Sequence, residues 1–271
     1  PRSDWPWSLR RIPLIGPQIP SLNLLAYNTR LILPIRGLIL RLKLDIVEYA
    51  DVNGDGVCHP LASNFVPYVV RLQTPLFATK QFYTDFERMA SHRLVGWMEK
   101  RAIVGADLLI SPSRAMARLI SDSCQLEMNR IKLIRNPLDP EYAAPKMKSN
   151  EFNFPPNTVL YVGRLEKRKG AFVFAEAVPE IRKHVSNTFF VFAGPDRHSP
   201  GDWSSRTELE RYLEGQGVPG TQFSFLGLVP RTKLKACYSE ATVVAIPPLY
   251  EDYPYSVVET MACGSPIVAS D

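Results

Sequence analysis

Cysteine is scarce in this chain of 271 residues: Cys58, Cys124, Cys237 and Cys263 stand far apart, with no C-x-x-C pair and no histidine cluster nearby. That spacing argues against a disulfide framework and a structural zinc site, and fits the reduced, buried thiols of a cytosolic protein. The four histidines show no ligand spacing, so no metal site is expected. Two phosphate-binding signatures are also missing, G-x-G-x-x-G and G-x-x-x-x-G-K-[ST], so any phosphate here needs another device. The longest charge-free run of interest, 12–29, is interrupted by Pro13, Gly16, Pro17 and Pro20 and cannot be an ordinary spanning helix. No initiator methionine or signal-peptide pattern opens the chain, which reads as cut at its front. Strong charge of one sign is lacking too: 32 basic against 27 acidic residues give +5, without the aromatic-laced basic stripe of a nucleic-acid binder. The modest excess favours anionic ligands or an anionic surface.

What is present is globular. Apolar residues make up 45% of the chain, and its length suits two domains. After an irregular stretch at 1–20, residues 22–43 mix apolar side chains with Arg30, Arg36, Arg41 and Lys43, while Pro34 and Gly37 should break or kink any helix. This segment reads either as a helix pair covering a sheet face or as a basic amphipathic surface resting on anionic lipid. Strands follow at 45–49, 68–72, 107–111 and 131–134, with a helix over 80–106 and another from Arg114, capped by Ser113. Asp51-Val52-Asn53-Gly54-Asp55-Gly56 opens like a calcium loop, but its twelfth position is Ala62 and not a bidentate glutamate. A turn built on Asn53, Gly54 and Gly56 is the better reading.

Prolines among polar residues from Asn136 to Pro156 mark a linker, with the boundary expected near residue 145 between domains 1–145 and 146–271. Behind it strands at 159–162, 189–193, 223–226, 243–247 and 266–270 alternate with helices at 172–184, 206–214, 232–239 and 257–263. Strands separated by helices predict an α/β chain of two doubly wound, Rossmann-like parallel sheets. Ser205 with Glu208, and Ser256 with Glu259, have capping-box spacing, and Gly215 and Gly264 fall where a left-handed residue would close a helix.

In this architecture ligands meet the carboxyl ends of the strands. Past the first strand of the back half lies Gly163-Arg164-Leu165-Glu166-Lys167-Arg168-Lys169-Gly170, past the second Gly194, past the third Gly227-Leu228-Val229, and past the fourth Glu251 and Glu259. Glycines permit close approach of a ligand, Arg164 and Lys169 suit a diphosphate, and the helix N-terminus around Ser256 offers free N–H groups. Simpler readings stand beside these. The basic run could be a solvated loop, Glu259 could serve only its capping box, and Glu251 could be a loop acid beside Asp252.

The back half resembles the retaining GT-B glycosyltransferases of family 4. The matching residues are Gly163-Arg164 with Lys169-Gly170, Ala193-Gly194, Phe225-Leu226-Gly227, Glu251 and Glu259 in Glu-x7-Glu spacing, and 261–269; weaker echoes lie at 70–75 and 136–139. The resemblance implies two Rossmann-like domains facing a cleft, the acceptor side in front and the nucleotide-sugar donor behind, with the chain truncated at both ends. It places the donor on Gly163, Arg164, Lys169, Gly194, Val229, Glu251, Tyr255, Ser256, Val257 and Glu259. Arg164 and Lys169 would hold the diphosphate, Glu259 the ribose hydroxyls and backbone near Val229 the base; Glu251 would face the transferred sugar. Gln73 and Thr74 are candidate sugar contacts, although many relatives carry histidine where this chain has Gln73. A second departure is Asn136-Pro137-Leu138-Asp139 in place of a commoner glycine-containing turn.

The expected function is transfer of a sugar from a nucleotide-sugar, UDP favoured, to an acceptor hydroxyl with retention, in polysaccharide or glycolipid synthesis. The catalytic set would be Glu251, Arg164 and Lys169, metal-independent and without a cofactor. Partners would be the donor and a carbohydrate or lipid-linked acceptor, with no nucleic acid, in the cytoplasm or against the inner face of a membrane. The rivals are a non-catalytic module binding a nucleotide-sugar or membrane surface, and third an unrelated Rossmann oxidoreductase.

Overall fold

The computed structural model describes residues 19–79, 86–143, 150–196, 198–199 and 203–270. The irregular stretch expected at 1–20 lies outside these but for its last two residues, as do the start of the helix expected from 80 and the linker residues 144–149. The chain divides into Pro1–Asn136 and Pro137–Asp271, a division that falls ahead of the boundary expected near 145.

The first unit opens with helices α1 (Ile19–Arg30) and α2 (Ile32–Leu42). Pro34 and Gly37 were expected to break or kink any helix here: the interruption falls at Leu31, beside Arg30, whose carbonyl sits four residues before the missing Pro34 N–H, whereas α2 runs through Gly37 without a break. Pro34 is thereby the third residue of a new helix, a position that needs no intrahelical donor. Gly37 lowers propensity without breaking the helix. The left-handed Lys43, φ 49°, ends α2 with its N–H on the Ile39 carbonyl.

Four parallel strands, β1 (Val47–Ala50), β2 (Tyr68–Arg71), β3 (Leu108–Ser111) and β4 (Ile131–Leu133), pair in chain order. Helix α3 (Phe86–Gly105) precedes β3 and α4 (Arg114–Cys124) follows it. Ser113 caps α4, its hydroxyl accepting from the Met116 N–H at 3.1 Å. Tyr68, Val70, Leu72, Leu109, Met116 and Ile120 form the core.

The calcium-like hexamer folds as a turn, with Asn53 at φ 62° and Gly54 at φ 69°. A side chain at Gly54 would strike Met98 Cβ at 2.5 Å, so α3 lies directly on the turn. Asp51 is buried and accepts from the Gln73 N–H at 2.8 Å. Glu99, fully buried on α3, accepts from the N–H of Asn53 at 3.2 Å and of Phe77 at 3.3 Å, tying together the segments that follow β1 and β2. Burial pushes the Glu99 carboxyl up to about 7, against the downward pull of the Leu76, Phe77 and Asn53 N–H groups.

The second unit has five parallel strands: β5 (Thr158–Val162), β6 (Phe189–Ala193), β7 (Phe223–Gly227), β8 (Val243–Ile246) and β9 (Ile267–Ala269). Helices α5 (Ala171–His184), α6 (Ser205–Gly215), α7 (Arg231–Glu240) and α8 (Tyr255–Ala262) connect them. Alternation along the strands splits the core between the two faces of the sheet. Leu160, Val191 and Val244 pack with Tyr238 on one side; Tyr161, Phe190 and Phe192 pack with Phe174 and Leu209 on the other. Each such fully buried side chain is worth about 1.5–3 kcal/mol relative to exposure. The spatial order is β9-β8-β5-β6-β7. The chain therefore steps outward from β5 to β7 and then crosses back to β8. That reversal opens a crevice between the carboxyl ends of β5 and β8.

Two helix-end expectations are corrected. Ser204, not Ser205, caps α6, accepting from the Thr207 N–H at 3.1 Å. The left-handed closing residue is Gly217, φ 72°, and not Gly215. At Gly264 the expected left-handed turn is present, φ 64°.

Candidate active site

The segment leaving β5 is fixed from beneath by Tyr161, whose hydroxyl shares its one proton between the carbonyls of Arg164 at 2.9 Å and Lys169 at 3.1 Å. It forms a single 3-10 turn, Lys167–Lys169, and ends at Gly170 with φ 78°. A Cβ at Gly170 would lie 1.7 Å from the Pro247 carbonyl oxygen, so only glycine lets this turn press against the end of β8. The Leu249 N–H donates to the Arg168 carbonyl at 2.9 Å, joining the loops that follow β5 and β8 by backbone as well.

On that joined backbone sits a chain of alternating charges. Arg164 and Arg168 both reach Glu166 Oε1, at 3.0 and 3.1 Å. Arg168 also donates to the Tyr250 carbonyl at 3.3 Å and stands 3.7 Å from Glu251 Oε2. Lys169 pairs with the same Glu251 oxygen. Exposure falls inward from both ends of this chain: the Arg164 side chain is 50% exposed and Lys169 25%, against 15% for Arg168, 12% for Glu251 and 6% for Glu166. The two cations expected to grip a diphosphate are thus its most accessible members, at opposite ends.

Glu259 lies on α8, and here a sequence expectation fails. Pro254, not Ser256, is the N-cap, and the Ser256 carbonyl instead accepts from Thr260 Oγ1 at 2.6 Å. The expected capping box is absent. Glu259 is 6% exposed and its Oε2 accepts from Tyr238 Oη at 2.9 Å. Burial first, and the Glu259 charge second, raise the Tyr238 hydroxyl well above its ordinary range. The same two causes, in the same order, push the Tyr142 hydroxyl up to about 12, while Arg231 pulls it down. Helix α8 begins at Tyr255, two residues before the expected Val257, and the N–H groups of Val257 and Val258 turn back on the Pro254 carbonyl.

Two cavities meet at this helix. A pocket of 200 Å³ is lined by Gly163, Lys169, Glu251, Ser256 and Glu259 among others. A larger one of 940 Å³ is lined by Leu138, Val229, Arg231, Tyr255 and Glu259 among others. Glu259 and Leu234 border both. Of the residues expected in the second unit, Gly163, Lys169, Val229, Glu251, Tyr255, Ser256 and Glu259 border these two adjoining spaces, whereas Arg164, Gly194 and Val257 border neither. Gln73 and Thr74 belong to the first unit, where Gln73 is exposed and its backbone is held by Asp51.

Two of the three strand-end glycines have a nearer cause than a ligand; at Gly227 a Cβ would meet nothing within 4 Å. A Cβ at Gly194 would lie 1.8 Å from the Gly163 carbonyl oxygen, and one at Gly163 would lie 2.8 Å from Tyr161 Oη. Both positions are filled by the chain itself.

Glu166, Arg168, Arg231 and Tyr238 were not singled out from sequence. Arg168 and Glu166 stood in the basic run, but which of three consecutive cations turns inward depends on the 3-10 turn. Tyr238 gives no local signal, because its partner is 21 residues away. Among the described residues no three His, Cys, Asp or Glu side chains converge as a metal site.

Comparison with known proteins gives the family and the fold. The model of Glycosyltransferase Family 4 matches residues 2–142, just over half of the chain, and that of Glycosyl transferases group 1 matches 144–271. A glycogen synthase of Mycobacterium tuberculosis is 26% identical over 219 residues, covering 79% of this chain and 50% of its own. An uncharacterised glycosyltransferase of Methanocaldococcus jannaschii is 28% identical over 233 residues, covering 79% and 56%. The chain spans about half the length of the curated relatives it matches. Among solved structures, Anabaena HepE in complex with UDP aligns with a TM-score of 0.69 at 18% identity over 89% of this chain and 63% of its own. Sucrose-phosphate synthase of Thermosynechococcus elongatus aligns at 0.71 and 20%, over 89% and 61%. The fold class is that of the GT-B glycosyltransferases, and the chain belongs to Glycosyltransferase Family 4.

Proposed function

We propose that the protein transfers a sugar from a nucleotide-sugar, UDP favoured, to the hydroxyl of a carbohydrate or lipid-linked acceptor with retention, in polysaccharide or glycolipid synthesis. One observation carries this reading: Lys169, Glu251 and Glu259 border adjoining cavities at the β5/β8 crevice that share Glu259, and Arg164 is tied to them through Glu166 and Arg168. Arg164 and Lys169 bind the donor diphosphate and stabilise the negative charge that develops on the departing nucleoside diphosphate. Glu259 accepts from the ribose hydroxyls, and the apolar wall around Val229 and Leu138 receives the base. Tyr255, Ser256 and Val257 bring the start of α8 to the phosphates. Glu251 faces the transferred sugar, which leaves and is attacked on one face. The cations and the helix terminus supply the charge balance without a metal or cofactor. HepE has been solved with UDP and with UDP plus glucose, which supports the UDP choice.

Titration with UDP, GDP and ADP, followed by donor hydrolysis and transfer assays, tests the reading. Failure of all three nucleotides to bind would overturn it. Gln73, standing where many relatives carry histidine, favours a second reading: a module that binds the nucleotide tightly without turning the donor over. Peripheral attachment to the inner face of a membrane rests on α2. Leu33, Leu38, Leu40 and Leu42 are exposed beside Arg36, Arg41 and Lys43, and residues 19–44 hold no acid. Sedimentation with anionic vesicles at low salt checks this.

A further inference from the structure

Glu251 is nearly buried, and two cations converge on one of its oxygens. One of them, Lys169, is a flexible point charge with a quarter of its side chain exposed, and on the reading above it must turn to the donor diphosphate. The other, Arg168, has no such freedom. Its side chain is 15% exposed, and its guanidinium is divided among Glu166 Oε1 at 3.1 Å, the Tyr250 carbonyl at 3.3 Å and Glu251 at 3.7 Å. Its own backbone carbonyl holds Leu249, so it is clamped to the Glu251 loop from both sides.

We propose that Arg168 is a positioning residue that keeps Glu251 ionised and in place when Lys169 leaves it for the donor diphosphate. A carboxylate with so little access to water is not left without a cation; it takes up a proton instead. With Arg168 in place, the exchange of partners at Lys169 costs Glu251 only one of its two positive neighbours. Glu166 serves the same arrangement from behind, holding Arg168 and Arg164 on one oxygen and so linking both ends of the phosphate grip. The other titratable groups around Glu251 are Glu259 and Tyr238 across the smaller cavity, and Asp252 and Tyr253 beside it in the chain. None of these carries a positive charge to replace Arg168.

The inference rests on the donor reading, and its test separates the two. Calorimetric titration of the full chain with UDP at pH 6, in two buffers of different ionisation enthalpy, gives the number of protons taken up on binding. Comparing variants at one pH cancels the ionisation of the nucleotide itself. Arg168→Gln should take up about 0.3 proton or more beyond wild type. Arg168→Lys, which keeps the charge, should match wild type, and Arg168→Gln with Glu251→Gln should lose the extra uptake. A proton count for Arg168→Gln equal to that of wild type, or extra uptake that survives in the double variant, overturns the role of Arg168 alone. Absence of UDP binding by wild type overturns the UDP donor reading as well. A purely structural arginine would lower the melting temperature without changing the proton count, so a lower melting temperature with an unchanged count also overturns it.

Discussion

Replacing Glu259 by glutamine isolates the ribose interaction from the fold. The side chain keeps its size, and its carbonyl can still accept from Tyr238 Oη, the 2.9 Å bond that now occupies Oε2. Exchanging a charged acceptor for a neutral one in that bond should cost about 1 kcal/mol of stability. The effect on binding is larger. A carboxylate can accept both hydroxyl protons of a ribose diol, whereas an amide presents one acceptor and one donor. At 6% exposure water does little to screen the difference, so the lost charge-assisted bond is worth about 2 kcal/mol, or about 30-fold in Kd. Calorimetric titration should therefore show UDP binding weakened about 30-fold, and the preference for UDP over 2′-deoxy-UDP should collapse. A Kd within about threefold of wild type, with that preference intact, would refute the ribose role. The earlier alternative, a capping box with Ser256, no longer competes, because Pro254 caps the helix.

Glu251→Gln should slow sugar transfer far more than it weakens UDP binding, and equal turnover would remove Glu251 from the chemistry. Gly170→Ala forces a side chain into a left-handed position against the Pro247 carbonyl, so denaturant melts should show a loss of about 3 kcal/mol or more. Glu99 makes the first unit pH-sensitive. Its folded value, about 7, lies above the ordinary 4.5, so the folded state holds the proton more tightly and the stabilisation is complete below about pH 4.5. It is lost as pH rises through 7, a fall on the order of 3 kcal/mol that urea melts at pH 5 and pH 8 should record and Glu99→Gln should abolish.

Much of the architecture was legible because it is written locally. Apolar runs of four or five residues, broken at near-regular intervals by helical spacing, located all nine strands of the two large sheets within a residue or two. Ser113 and Gly264 performed the capping and closing roles their types suggest. The failures are also local in origin. Serines occupy both 204 and 205, and Ser204 is the cap; Gly215 and Gly217 both follow the apolar spacing, and Gly217 carries the turn.

The strand-end order of Arg164, Lys169, Glu251 and Glu259 was fixed by sequence alone, since a βα repeat puts every such loop at the same edge of a parallel sheet. Tertiary structure decided what each of them touches. Crossing from β7 back to β8 brings residues more than eighty positions apart into one network, Lys169 and Arg168 against Glu251. It also buries Glu259 against Tyr238, and it fills the space at Gly163 and Gly194 with the chain's own atoms. Those contacts depend on which strands become neighbours, and a one-dimensional pattern of apolar and polar residues carries no record of that choice.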